Sequence, residues 1–138
     1  MLREVNSTIA LVTGASHGIG LEVVRQLAST GMTVILSARS LEKAVKAAEP
    51  LLESGYPVHP KALDVSSDAS VEELAEAIKL EFGRLDVLVN NAAAFADWTE
   101  TASNANLEAV KAVMETNLFG AWRTTQAMLP LLRQSAHG

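Results

Sequence analysis

The chain has 138 residues, about one domain by the usual length prior, and a chain of that size buries roughly two thirds of its surface. Apolar residues make up 49% and charged residues 20%, which excludes a disordered chain, and a net charge of −5 argues against nucleic acid, whose partners present basic surfaces. It has no cysteine for disulfides or thiolate chemistry, no signal-peptide core in "MLREVNST" and no apolar run near the ~20 residues that span a bilayer, so a cytoplasmic setting is expected and the Asn6-Ser7-Thr8 sequon is read as accidental.

"TIALVT" (8–13) is an apolar run ending in a glycine loop and predicts a buried strand. "GIGLEVVRQLAST" (18–30) places Ile19, Val23, Val24 and Leu27 at helical spacing, with Gly31 as a stop. "MTVILSA" (32–38) predicts a second buried strand. In "SLEKAVKAAEPLLES" (40–54) Ser40 is the candidate N-cap, and Leu41, Val45, Ala48 and Leu52 share a face. Pro50 should bend or break that helix late. "PVHPKALDV" (57–65) is a third strand, which Pro60 assigns to a sheet edge. "SVEELAEAIKLEFG" (70–83) starts with Ser70 and Glu73 in capping-box spacing and stops at Gly83. "LDVLVN" (85–90) is a fourth strand. A long helix is expected over 106–134, with Leu107, Val110, Val113, Met114, Leu118, Ala121, Trp122 and Thr125 on one broad face and a kink at Pro130.

Strands alternating with helices imply an α/β fold with a parallel sheet and right-handed crossovers, in one domain over 1–138. Between the first strand and its helix lies "TGASHGIG", Thr13 to Gly20. A strand, a glycine turn and a helix N-terminus together make an anion site, because the helix offers unpaired N–H groups and a partial positive charge. Glycine permits positive φ there and lets a pyrophosphate approach the backbone. The other reading is a tight turn kept for packing alone. Gly14, Gly18 and Gly20 are spaced Gly-x-x-x-Gly-x-Gly, which is neither the commoner Gly-x-Gly-x-x-Gly nor a P-loop, whose lysine is missing.

On these residues the chain resembles the short-chain dehydrogenase/reductase family, with the closest likeness to its carbonyl reductases. Thr13-Gly14-Ala15-Ser16-His17-Gly18-Ile19-Gly20 matches the family's TGxxxGxG motif, and three further matches follow in order. Leu63-Asp64-Val65 resembles the segment whose aspartate meets the adenine ring. Asn90-Asn91-Ala92 resembles the NNAG motif, with Ala93 in place of its last glycine, a methyl group expected to be tolerated beside the ribose or nicotinamide. Asn117 in "ETNLFG" resembles the helix asparagine of the catalytic tetrad. The resemblance implies a Rossmann-like doubly wound sheet in strand order 3-2-1-4, here stopping after the fourth strand and its helix. It implies a nicotinamide dinucleotide cofactor held by Gly14, Ser16, His17, Gly18, Ile19, Gly20, Asp64, Val65, Asn91, Ala92 and Ala93. It also implies Asn117 as an anchor for a water in a proton relay, with the helix locally perturbed there, and a homo-oligomer formed through the helix over 106–134. Each residue has a plainer reading too: Asp64 can end a strand, Asn91 can tie two loops together, and Asn117 is a polar residue on a stripe expected to face the core.

An acid at the end of the second strand would bind a ribose 2′-hydroxyl and repel a 2′-phosphate. That position is Ala38, and Arg39 follows, with a guanidinium suited to phosphate. NADP is therefore expected over NAD, with His17 adding a donor. The family's chemistry also needs a serine and a tyrosine followed four residues later by lysine. The one tyrosine, Tyr56, is followed at that spacing by Pro60. His17, His59 and His137 show no metal-ligand spacing, and no metal is expected. Two readings stay open: the cofactor-binding half of a reductase, silent by itself, or a non-catalytic nucleotide-binding or assembly module built on the same fold.

Overall fold

Four short apolar segments pair into one parallel sheet. They are β1 (Ile9–Val12), β2 (Thr33–Ala38), β3 (Val58–Ala62) and β4 (Val87–Val89), side by side in the order β3-β2-β1-β4. The structure, a computed structural model, describes residues 8–97 and 99–135; Asn6 and His137 lie outside them. In register, Val12 stands opposite Leu36 on one side and Val89 on the other, and Pro60 stands opposite Leu36 in the outer strand. The edge placement read from that proline is therefore found.

The helices are α1 (Gly18–Ser29), α2 (Leu41–Glu53), α3 (Asp68–Phe82), α4 (Leu107–Met114) and α5 (Ala121–Leu132). They cover both faces of the sheet, because alternate strand residues point to opposite sides. Leu11 and Ile35 join Leu63, Val71, Ile78, Leu85 and Met128 in a core under α3 and α5. Val12, Val34 and Leu36 join Val24, Ala28, Ala44 and Ala48 in a core under α1 and α2. Burial of each large aliphatic residue is worth about 1.5–3 kcal/mol.

Several local expectations are corrected. In α2 the buried residues are Ala44, Ala48 and Leu51, while Leu41, Val45 and Leu52 are exposed. The small alanines let the helix lie close on the sheet, so the buried stripe sits beside the bulkier one. In α1 Ile19 is 79% exposed, and Gly20, Val24 and Ala28 face inward. The cap of α3 is Ser67, whose side chain accepts from the Ser70 N–H. Ser70 instead uses its hydroxyl oxygen to accept from the Asp64 N–H at 2.9 Å. Pro50 and Pro130 both lie inside their helices, within three residues of the end, and neither helix breaks at its proline.

The largest departure concerns the long helix. Between α4 and α5, Glu115–Gly120 is π-helical, so one turn is wider than its neighbours. The broad apolar face is not packed on the sheet: Leu107, Val110, Met114, Leu118 and Trp122 are all exposed, Trp122 by 58%. The inward residues are Gly120, Thr124, Met128 and Leu131. Among the described residues no helix is long and apolar enough to cross a membrane.

Candidate functional site

The loop from Thr13 to His17 leaves β1 at its carboxyl end and enters α1. Its path is pinned from both sides: the Thr13 N–H donates to Val89 O at 3.1 Å, and the Ala15 N–H donates to Ser37 O at 2.8 Å. Gly14 and Gly18 have φ of +60° and +59°, a region that L side chains rarely adopt. The two differ in surroundings. A Cβ on Gly14 would stand 2.7 Å from Ala92 Cα, whereas a Cβ on Gly18 would meet nothing within 4 Å. Gly14 is thus needed for close approach of the β4 loop, and Gly18 keeps an open face open. A Cβ on Gly20 would run into the Asn91 amide and stand 2.8 Å from Gly14 O.

At that open face His17 caps α1 in extended backbone conformation with no side-chain capping bond. The first intrahelical bond runs from Leu21 N–H to His17 O, and the N–H groups of Ser16, His17, Gly18 and Ile19 have no acceptor among the described residues. Four donors at a helix N-terminus, beside exposed backbone, form a positive, donor-rich surface. Ser16 Oγ and His17 Nδ1 lie 3.1 Å apart at its edge.

The second loop follows β4. Asn91 ties it to the first: its Nδ2 donates to Thr13 O at 3.1 Å and to Gly14 O at 3.0 Å. Thr13 Oγ1 in return accepts from the N–H groups of Asn91 and Ala92 at 3.0 and 2.9 Å. The loop-tying reading of Asn91 is therefore observed, with Thr13 as its counterpart. No non-glycine residue among those described has positive φ, so Ala93 occupies its place without backbone strain. Asn90 donates through Nδ2 to Thr125 Oγ1 at 3.0 Å, linking the same loop to α5.

The third loop follows β3. Asp64 is half-buried, and its Oδ1 accepts from Ser66 Oγ and Ser66 N–H at 2.6 and 3.0 Å. The Ser66 hydroxyl, working against burial and helped by the Ser66 N–H and the nearby Arg39 and Arg123 charges, holds this carboxyl below the ordinary aspartate range. Val65 is buried, so its side chain serves packing and only its backbone faces outward partners. Arg39, just past β2, is exposed, and Ala38 beside it is buried.

Asn117 lies in the π-helical segment and clamps the chain at Ala94. Its Oδ1 accepts from the Ala94 N–H at 2.7 Å, and its Nδ2 donates to Ala94 O at 2.9 Å. It is exposed, on the face of Met114 and Leu118, and not on a core-facing stripe as its spacing suggested. The structure thus brings the glycine loop, Arg39, Asp64, Asn91–Ala93 and Asn117 to the carboxyl-terminal edge of one sheet, where ligands of such folds bind. A groove between α3 and α5, lined by Ala75, Lys79, Ala127 and Pro130, includes none of them. No group of three His, Asp or Glu residues among those described could hold a metal ion. Sequence reading missed three participants: Thr13 as a double acceptor, Gly120 and Arg123. Thr13 was visible as a buried polar residue at the end of an apolar run; the other two had no local signal.

The strand order and the helix-capped glycine turn define a Rossmann-like α/β fold. The chain belongs to the short-chain dehydrogenase family, whose model matches residues 8–138. A (+)-neomenthol dehydrogenase of Capsicum annuum is 35% identical over 173 residues, covering 98% of this chain and 55% of its own. A solved variant of actinorhodin polyketide ketoreductase with NADPH is 36% identical, with a TM-score of 0.84 over 93% of this chain and 48% of its own. An alcohol dehydrogenase from the archaeon Thermococcus sibiricus, complexed with 5-hydroxy-NADP, is 37% identical, with a TM-score of 0.85 over 92% of this chain and 54% of its own. The chain spans about half the length of these relatives.

Proposed function

We propose that this chain is the cofactor-binding part of an NADP-dependent reductase that interconverts carbonyls and alcohols. The observation that carries the reading is the open face at Gly18, with the free N–H groups of Ser16 through Ile19 beside it. These donors would hold the cofactor pyrophosphate. Arg39 would bind the 2′-phosphate, with no carboxylate at Ala38 to repel it and His17 adding a donor. Asp64, at the head of the third loop, would meet the adenine, and the backbone of Val65 would border it. Asn91, Ala92 and Ala93 would line the ribose and nicotinamide end. The relatives solved with NADPH and 5-hydroxy-NADP support this choice of cofactor.

When bound, the cofactor supplies a hydride. The chain's own residues orient it: Asn91 fixes the two loops against each other, and Asn117 fixes the stretch around Ala94. Tyr56 precedes β3 and is followed four residues on by Pro60, so it is not the proton donor of the family's Tyr-x-x-x-Lys pattern. The exposed face of Leu107, Val110, Met114, Leu118 and Trp122 would close on a second copy, giving a homo-oligomer. The alternative of a non-catalytic nucleotide-binding or assembly module shares the same cofactor site and differs only in lacking turnover.

Titration with NADPH and NADH, followed by nucleotide fluorescence, tests the reading. NADPH should bind more tightly. A lost charge-assisted contact is worth about 1.5–3 kcal/mol, so Arg39→Asp should weaken NADPH at least tenfold. Equal affinity of the parent chain for both nucleotides would refute the assignment.

A further inference from the structure

Arg123 makes three contacts to three different parts of the chain. Its Nε donates to Asp68 at the start of α3. Its Nη1 donates to Val65 O at 2.8 Å, and its Nη2 donates to Glu115 Oε1 at 2.5 Å. Only a guanidinium offers donors in a rigid fork of this breadth. Glu115 is the first residue of the π-helical segment, and Asn117 lies two residues on. Gly120, the last residue of that segment, presses on the same loop: a Cβ there would stand 2.6 Å from Val65 Cγ2.

We propose that Arg123 is a positioning residue, holding the Asp64–Val65 loop and the π-helical segment in the one register that aims Asn117 at Ala94. The inference rests on the reading of that loop and Asn117 as two ends of one cofactor site. A π-helical turn carries one residue more than the α-helix it interrupts. Successive α-helical residues are ~100° apart around the axis, so relaxing the extra residue out would swing Asn117 about a quarter turn away from Ala94. The segment is held against this at Glu115 by Arg123, at Gly120 by contact with Val65, and at Asn117 by the two bonds to Ala94. Arg123 alone connects the first of these restraints to the backbone of the loop after β3. Its side chain is only 22% exposed, so solvent does not easily take its place.

Amide hydrogen exchange on the whole 138-residue chain, without cofactor, tests this. In Arg123→Met the Ala94 N–H should exchange at least tenfold faster, while those of Val12 and Ile35 in the sheet keep the parent rates. An unchanged Ala94 rate, or one that rises only in step with Val12 and Ile35, would overturn the role. Glu115→Gln removes one arm and keeps the shape. It should accelerate Ala94 alone, by less, and an unchanged rate there overturns the proposal even if Arg123→Met fails to fold. NADPH titration of the parent chain separates the two readings: failure to bind removes the cofactor assignment, whereas binding with an unchanged Ala94 rate in both variants removes only the role of Arg123.

Discussion

Alanine at Gly14 and alanine at Gly18 should separate the two uses of glycine in one loop. Both positions have φ near +60°, so either alanine costs about 1–2 kcal/mol in backbone strain. At Gly18 that is the whole cost, since the new Cβ meets nothing within 4 Å. At Gly14 the Cβ would lie 2.7 Å from Ala92 Cα, and backbone on both loops must shift. Overpacking of that kind adds about 1–3 kcal/mol, for a total of about 2–5 kcal/mol. For 138 residues the unfolding entropy is about 0.29 kcal/mol/K, so each kcal/mol lowers Tm by about 3–4 °C. Thermal melts should then show a loss of about 3–8 °C for Gly18→Ala and about 6–20 °C for Gly14→Ala. NADPH titration should show the reverse emphasis: Gly18→Ala, nearly intact, should lose affinity at least tenfold because its methyl group sits where the phosphates must approach. Equal melting temperatures would refute the packing argument. Parent-like NADPH affinity in Gly18→Ala would refute the assignment of the open face.

Asp86 accepts from the Ile9 N–H, from Ser135 Oγ at 2.6 Å and from Arg84 Nε at 3.2 Å. Burial pushes its carboxyl up, but these bonds outweigh burial and hold it below the ordinary range. A depressed folded value means stability that is present above the unfolded pKa and lost as pH falls through the folded one, so acid melts below about pH 4 should steepen. Asp86→Asn should flatten that slope and cost about 1–3 kcal/mol at pH 7; an unchanged acid slope would contradict this. Carbonyl reduction by the purified 138-residue chain should be undetectable with NADPH, and turnover that depends on Asn117 would reveal a proton donor other than Tyr56. Sedimentation at micromolar concentration should show a dimer that Trp122→Glu disrupts; a clean monomer refutes self-association, and a dimer indifferent to that change moves the contact to the β4 edge.

The parts of the fold legible in the sequence are those set by period and by punctuation. Continuous apolar strands of four to six residues, as in β1 and β2, mark a sheet covered on both faces, and that pattern survives small errors in boundary. Pro60 places β3 at an edge because a proline removes a ladder donor wherever it falls. The helix faces were less legible. Large side chains carry most of the apolar signal, yet α2 packs through Ala44 and Ala48, where the smallest residues allow the closest approach. Ser70 looked like the cap, and only the chain's path shows that Ser67 caps α3 while Ser70 holds the Asp64 N–H.

A local perturbation of the helix at Asn117 was expected, but its π-helical form was illegible for a different reason. No residue type in "ETNLFG" demands an extra residue in the turn; the demand comes from partners distant in sequence. Ala94 lies 23 positions before Asn117, and Val65 lies 58 before Arg123. A helix with an exposed apolar flank has little packing of its own to fix its register at α4, where no residue is buried. Its register is set by polar contacts to two loops, one of which carries Asp64 while the other is tied by Asn91 to the glycine turn. Where a site is assembled at the ends of several strands, its precision resides in such cross-loop bonds. Thr13, Asn91, Asn117 and Arg123 make them here, and each is a polar side chain whose role in the chain's own geometry is visible before any ligand arrives.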